Sequence, residues 1–145
     1  MKVVYVSGGM TGYENLNKEK FNKKTEELRN IGHFVINPVE ISIDVEKRCF
    51  ENEAKREDYL KEDIKYLIIC DTIYFLEGWS KSEGAVLEYI IAKALNLHIV
   101  FEDVFEMAPD IELMISAICK MYNKEYNEQL HGIIKKDLKN LLKQY

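Results

Sequence analysis

The segment Lys2 to Ser7 (KVVYVS) is rich in β-formers and runs directly into Gly8, Gly9, Met10, Thr11 and Gly12, the pattern of a buried strand whose following loop lets a ligand approach the backbone closely. Asn17 then stands where a helix N-cap is needed. Phe21, Thr25, Leu28 and Ile31 recur at helical spacing, and Gly32 supplies a stop. His33 to Asn37 (HFVIN) reads as a second strand, closed by Pro38. A strand, a helix and a strand packed between Lys2 and Asn37 form a βαβ unit, which requires parallel pairing and a right-handed crossover.

The remainder extends this α/β pattern. Glu40 to Asp63 is acid-rich and has little apolar content before Tyr59 and Leu60, so its first part is expected to be a loop or lid, with a helix from about Asn52. Leu60, Ile64, Leu67 and Ile68 make the buried stripe of that helix. Tyr59, Asp63 and Tyr66 lie beside it, which puts Asp63 at the margin of the buried face. Thr72 to Leu76 and Leu97 to Phe101 are two further strands. Between them, the loop Glu77 to Glu83 carries Gly78, Trp79, Ser80 and Ser82, with Gly84 just after it.

A helix starting at Ser82 or Glu83 then uses Ala85, Glu88, Ala92 and Leu95, widened by Leu87, Ile90, Ile91 and Ala94. Glu88 therefore sits among apolar neighbours. A carboxylate packed on a sheet there is partly desolvated and must be paired or put to use; the plainer alternative is an edge glutamate whose oxygens reach water. Asp71 precedes a strand, at the amino edge of the sheet, whereas ligands bind beyond carboxyl ends. It is expected to be a cap or turn residue.

Length and composition narrow the function. The 145 residues suit one domain, with a core over about 1–101 and a helical extension over about 110–145. In that extension Ile111, Met114, Ile115, Ile118 and Met121 form one stripe, and Leu130, Ile134, Leu138, Leu141 and Tyr145 continue it. No apolar run approaches a membrane span, and the first strand is too short for a signal peptide, so a cytoplasmic protein is expected. A net charge of −5 argues against binding nucleic acid polymers in general. Cys49, Cys70 and Cys119 are odd in number and far apart, which suits reduced, buried thiols, and His33, His98 and His131 share no ligand spacing. No metal site is expected.

Three pieces together carry a family resemblance: YVSGGMTG at Tyr5 to Gly12, DIKYLIICD at Asp63 to Asp71, and LEGWSKSEGAVLE at Leu76 to Glu88. Across roughly Lys2 to Val100 the chain resembles the nucleoside 2-deoxyribosyltransferase-like superfamily, including its phage-associated branch and the deoxynucleoside 5′-monophosphate N-glycosidases. The resemblance implies a flavodoxin-like (Rossmann-like) α/β fold, with a parallel sheet of four to five strands, helices on both faces and C-terminal helices added. It further implies a homodimer, a small-molecule nucleotide or nucleoside as substrate, and no cofactor.

By resemblance, Glu88 is the nucleophile, Asp63 the acid or base that handles the leaving nucleobase, and Tyr5 a hydroxyl orienting Glu88. Ser82, six positions before Glu88, matches a serine that contacts the 5′-phosphate in the monophosphate glycosidases; transferases of unphosphorylated nucleosides tend to carry aspartate there. A hydroxyl beside helix-start N–H groups suits phosphate, and a second negative charge does not. The first loop lacks arginine or lysine before Lys18, which leaves phosphate to Thr11, backbone amides, Ser80, Ser82 and Lys81, or to another subunit. Substrate contacts are thus expected from Ser7, Gly8, Gly9, Met10, Thr11, Ser80, Ser82 and Gly84. Trp79 could stack on a base, act as a lid contact or anchor an interface. The function expected is cleavage or exchange of the base of a 2′-deoxynucleoside 5′-monophosphate; the alternative is a nucleotide sensor that uses the same cleft without turnover.

Overall fold

A computed structural model describes residues 1–49, 54–121, 132, 133, 135–137, 139 and 140. Four strands, β1 (Val3–Ser7), β2 (Phe34–Ile36), β3 (Thr72–Phe75) and β4 (His98–Phe101), form one all-parallel sheet in the order β2-β1-β3-β4. The chain is an α/β Rossmann-like fold. The helices are α1 (Lys18–Asn30), α2 (Pro38–Arg48), α3 (Arg56–Leu67), α4 (Glu83–Ala94) and α5 (Ile111–Met121). Among the described residues, no helix is long and apolar enough to cross a membrane.

Alternation along β1 divides the core in two. Val6 joins Phe21 of α1, Val35, Val39 and Leu76 in one apolar cluster. Tyr5 points the other way, into a larger cluster with Leu67 of α3, Ala85, Val86 and Tyr89 of α4, and Met114 and Ile115 of α5. The central strands are buried on both faces, as a parallel sheet requires. After β1 the chain goes to one side of the sheet, and after β3 it goes to the other. The carboxyl ends of β1 and β3 are therefore the switch point at which ligands bind in such sheets.

Three expectations are corrected. The stretch after Pro38 is not a loop or lid but helix α2. Pro38 occupies its first turn, where its fixed φ suits a helix and its missing N–H costs nothing. Asn37 caps that turn by accepting the Val39 N–H at 3.0 Å, and Val39, Ile41 and Val45 are buried. Ile68 and Ile31, expected to face inward, are 55% and 71% exposed because each lies just beyond the last turn of its helix. Asn17 stands at the start of α1 but does not cap it. It has left-handed backbone, and its side-chain N–H donates to the Gly9 carbonyl at 2.9 Å instead.

Asp71 is the turn residue expected, its carboxylate accepting the Val3 N–H at 2.9 Å on the amino side of the sheet. Cys70 is buried and Cys49 half-buried, both as free thiols. The expected helix start at Asn52, the stripe from Leu130 to Tyr145, the side chains of Cys119 and Met121, and His131 lie outside the described residues.

Candidate active site

Tyr5 and Ser7 are two residues apart on β1, so both side chains leave the same face of the strand. That face looks toward α4, where Glu88 lies in the second turn. The Tyr5 hydroxyl donates to Glu88 Oε1 at 2.7 Å, and the Ser7 hydroxyl donates to Oε2 at 2.5 Å. All three side chains are buried. Helix α4 is fixed in position by Ser82, whose Oγ accepts the Ala85 N–H at 3.3 Å. Glu88 is thus held from below by the central strand and from behind by its own helix.

Asp63 comes from the middle of α3 to the same place. The Tyr5 hydroxyl interacts with it as well as with Glu88, and the Asp63 charge is felt by Glu88. Burial pushes Glu88 well above the ordinary carboxylate range and the Asp63 charge pushes it further, against the hydrogen bonds from Ser7 and Tyr5. Asp63 is raised by burial too, partly offset by Tyr5 and reinforced by Glu62. Burial also raises the Tyr5 hydroxyl, with both carboxylates adding to the effect. A buried carboxyl and a half-buried one near each other keep a proton between them to higher pH than either would alone.

Above this pair opens a cavity of about 400 Å³. Its lining includes Asp63 and Glu88, Gly8, Met10 and Thr11 from the loop after β1, and Ser82, Glu83, Gly84 and Ala85 at the start of α4. Phe21, Pro38 and Arg56 complete it. The expected site residues Glu88, Asp63, Gly8, Met10, Thr11, Ser82 and Gly84 are therefore brought together, with Tyr5 and Ser7 directly beneath.

Trp79, Ser80 and Gly9 do not line this cavity, and the reasons are local. Trp79 is 1% exposed, packed against Phe75, Tyr89 and Phe101, with its indole N–H donating to the Glu106 carbonyl at 2.7 Å. It is an anchor of the core and leaves no face for a base. Ser80 gives its N–H, at 3.0 Å, and its hydroxyl to the Glu106 carboxylate. Gly9 lies under Tyr13: a Cβ on Gly9 would come within 2.7 Å of the Tyr13 ring, and one on Gly78 within 2.6 Å of its hydroxyl. The tyrosine bridges the loops after β1 and β3. Lys81 is exposed and is not part of the lining.

Arg56 is the residue the sequence reading passed over. It opens α3, lines the cavity and pairs with Glu83 at 2.5 Å, which ties the first turn of α3 to the first turn of α4. Its seven-residue separation from Asp63 was the available signal, since two helical turns return a side chain to the same face. Phe21 was legible only as a packing residue of α1, and Pro38 only as the end of the second strand. Among the described residues, no three His, Cys, Asp or Glu side chains gather in a way that could hold a metal ion.

Chemically, the site offers a desolvated carboxylate steadied by two hydroxyls, a second carboxyl able to carry a proton, an apolar wall and a guanidinium at the rim. No curated protein matches the chain. The model of one family matches residues 2–101, a span that holds the whole sheet, both carboxylates and every residue of the cavity lining, and the chain belongs to that family, the Domain of unknown function (DUF4406).

Proposed function

We propose that this cleft breaks the N-glycosidic bond of a 2′-deoxynucleoside 5′-monophosphate through a covalent glycosyl intermediate on Glu88. The observation that carries the reading is the buried Glu88 carboxylate, gripped by the Tyr5 and Ser7 hydroxyls at the floor of a cavity that Asp63 shares. A nucleophile needs one oxygen aimed and partly stripped of water, and a leaving base needs a proton donor nearby. The resemblance of Tyr5 to Gly12, Asp63 to Asp71 and Leu76 to Glu88 to the nucleoside 2-deoxyribosyltransferase-like superfamily supports the same roles.

In the first step a Glu88 oxygen bonds to C1′ while the C1′–N bond breaks. The bonding pair departs with the base, whose nitrogen takes the proton that the two carboxyls share, delivered from Asp63 in the form of the pair in which Glu88 is ionised. Charge builds on the sugar as an oxocarbenium ion, which the adjacent carboxylates stabilise. Water then attacks C1′, gives its proton to Asp63 and frees the Glu88 carboxylate. A second base arriving in place of water yields transfer. Met10, Phe21 and Pro38 form the apolar wall against which the departing ring packs.

The test is incubation with a panel of 2′-deoxynucleoside 5′-monophosphates and chromatography of the released base. Base release is expected from at least one substrate, and Glu88→Ala should lower it by roughly a thousandfold or more. If every substrate stays intact while a nucleotide raises the melting temperature, the protein is a sensor and not a glycosidase.

A further inference from the structure

The cavity has a charge problem. Asp63, Glu83 and Glu88 all line it, and among the described lining residues Arg56 is the one cation. A phosphate entering past three carboxylates gains little unless that guanidinium is turned toward it. Arg56 is suited to turning: its side chain is 56% exposed, against 19% for Glu83, and the two meet at the rim. We propose that Arg56 is the residue that selects phosphorylated substrates, exchanging its Glu83 partner for the substrate's 5′-phosphate; naming that ligand rests on the glycosidic reading above.

The physical case is one of competing acceptors. A guanidinium presents a planar fork of N–H donors that fits two phosphate oxygens, and a phosphate dianion competes for it better than one carboxylate oxygen. Ser82 adds to the same rim. Its Oγ already accepts the Ala85 N–H, so its own O–H proton can be directed into the cavity that it lines. Glu83 acts as a stand-in for the phosphate, holding Arg56 in place and setting a threshold that an uncharged nucleoside cannot cross.

Titration calorimetry on the full chain carrying Glu88→Gln, which removes turnover, tests the assignment with each 2′-deoxynucleoside 5′-monophosphate and its matched nucleoside. The monophosphate should bind at least tenfold more tightly than the nucleoside. Adding Arg56→Ala should shrink that ratio at least tenfold, Arg56→Lys should leave an intermediate value, and Glu83→Gln should widen it. An unchanged ratio in Arg56→Ala, a narrower one in Glu83→Gln, equal affinities in the parent, or no binding of either probe overturns the proposal. Should Arg56→Ala fail to fold, the Glu83→Gln ratio decides by itself. Base release by the wild-type chain is a separate readout. Phosphate-selective binding through Arg56 without base release would sink the glycosidic reading and keep this one, and base release with no Arg56 dependence would do the reverse.

Discussion

Glu88 and Glu102 are both glutamates placed near the carboxyl edge of the sheet, yet they are treated in opposite ways. Glu102, at the end of β4, accepts the Glu77 N–H at 2.9 Å and meets Lys20 at 3.0 Å, with Lys24 at 3.7 Å. Burial raises its carboxyl somewhat, but the Glu77 N–H and Lys20 overcome this and hold it below the usual range. Glu88 receives two neutral hydroxyls and, in place of a cation, the neighbouring charge of Asp63, so it ends well above that range. A carboxylate that stitches loops together is neutralised where it stands. Glu88 is oriented without being neutralised by a cation, and the fold bears the cost.

Removing the uncompensated charge should therefore do the most. Glu88→Gln should abolish base release, by roughly a thousandfold or more, while making the protein more stable. The sign follows from the raised folded-state pKa. The stability tied to Glu88 is fully present below its unfolded value of about 4.5 and is lost as pH rises through about 8. Thermal melts of wild type and Glu88→Gln should thus coincide near pH 4 and separate in the variant's favour above pH 8. A variant less stable than wild type at pH 8.5 would break the contrast with Glu102.

Asp63→Asn comes next. It should lower base release by about a hundredfold or more and flatten the pH–rate profile, because a group raised toward neutrality no longer carries the proton. Tyr5→Phe and Ser7→Ala act through Glu88 as changes to positioning residues. Each should cost roughly tenfold in kcat with a smaller change in KM, and should shift the pH–rate profile upward as Glu88 loses a donor to its ionised form. An unshifted profile with a pure loss of folded protein would reduce both to packing.

The smallest effect belongs to the neutralised partner. Glu102 is depressed, so its contribution is present above its unfolded value and is lost as pH falls through its lower folded one. Glu102→Gln should cost about 1 kcal/mol or less at pH 7, since the pair is still partly solvated and glutamine keeps an acceptor for the Glu77 N–H, and nothing near pH 2, as measured by urea unfolding at both pH values.

Much of this contrast could be read before any coordinates. The four strands fall within a residue or so of their expected limits, because each is a short apolar run bounded by glycine, proline, asparagine or aspartate. Tyr5, Asp63 and Glu88 were legible through spacing and resemblance together. Helix α2 was not, since its acidic surface masked the buried Val39, Ile41 and Val45 and Pro38 was read as an ending instead of a first turn. Trp79 misled because a tryptophan after a strand-end glycine has the same local pattern whether it faces a ligand or the core; Phe75, Tyr89 and Phe101, which decide the matter, are remote from it or belong to other elements. Arg56 escaped notice because its meaning depends on Glu83, 27 positions away on another helix.

Tyr13 has a practical consequence for anyone hoping to reshape the loops beside the cleft. Its ring and hydroxyl occupy the space that side chains at Gly9 and Gly78 would need, so the loops after β1 and β3 share one spacer. A side chain placed at either glycine must displace Tyr13, so a change at Gly9 or Gly78 calls for a smaller residue at position 13 as well.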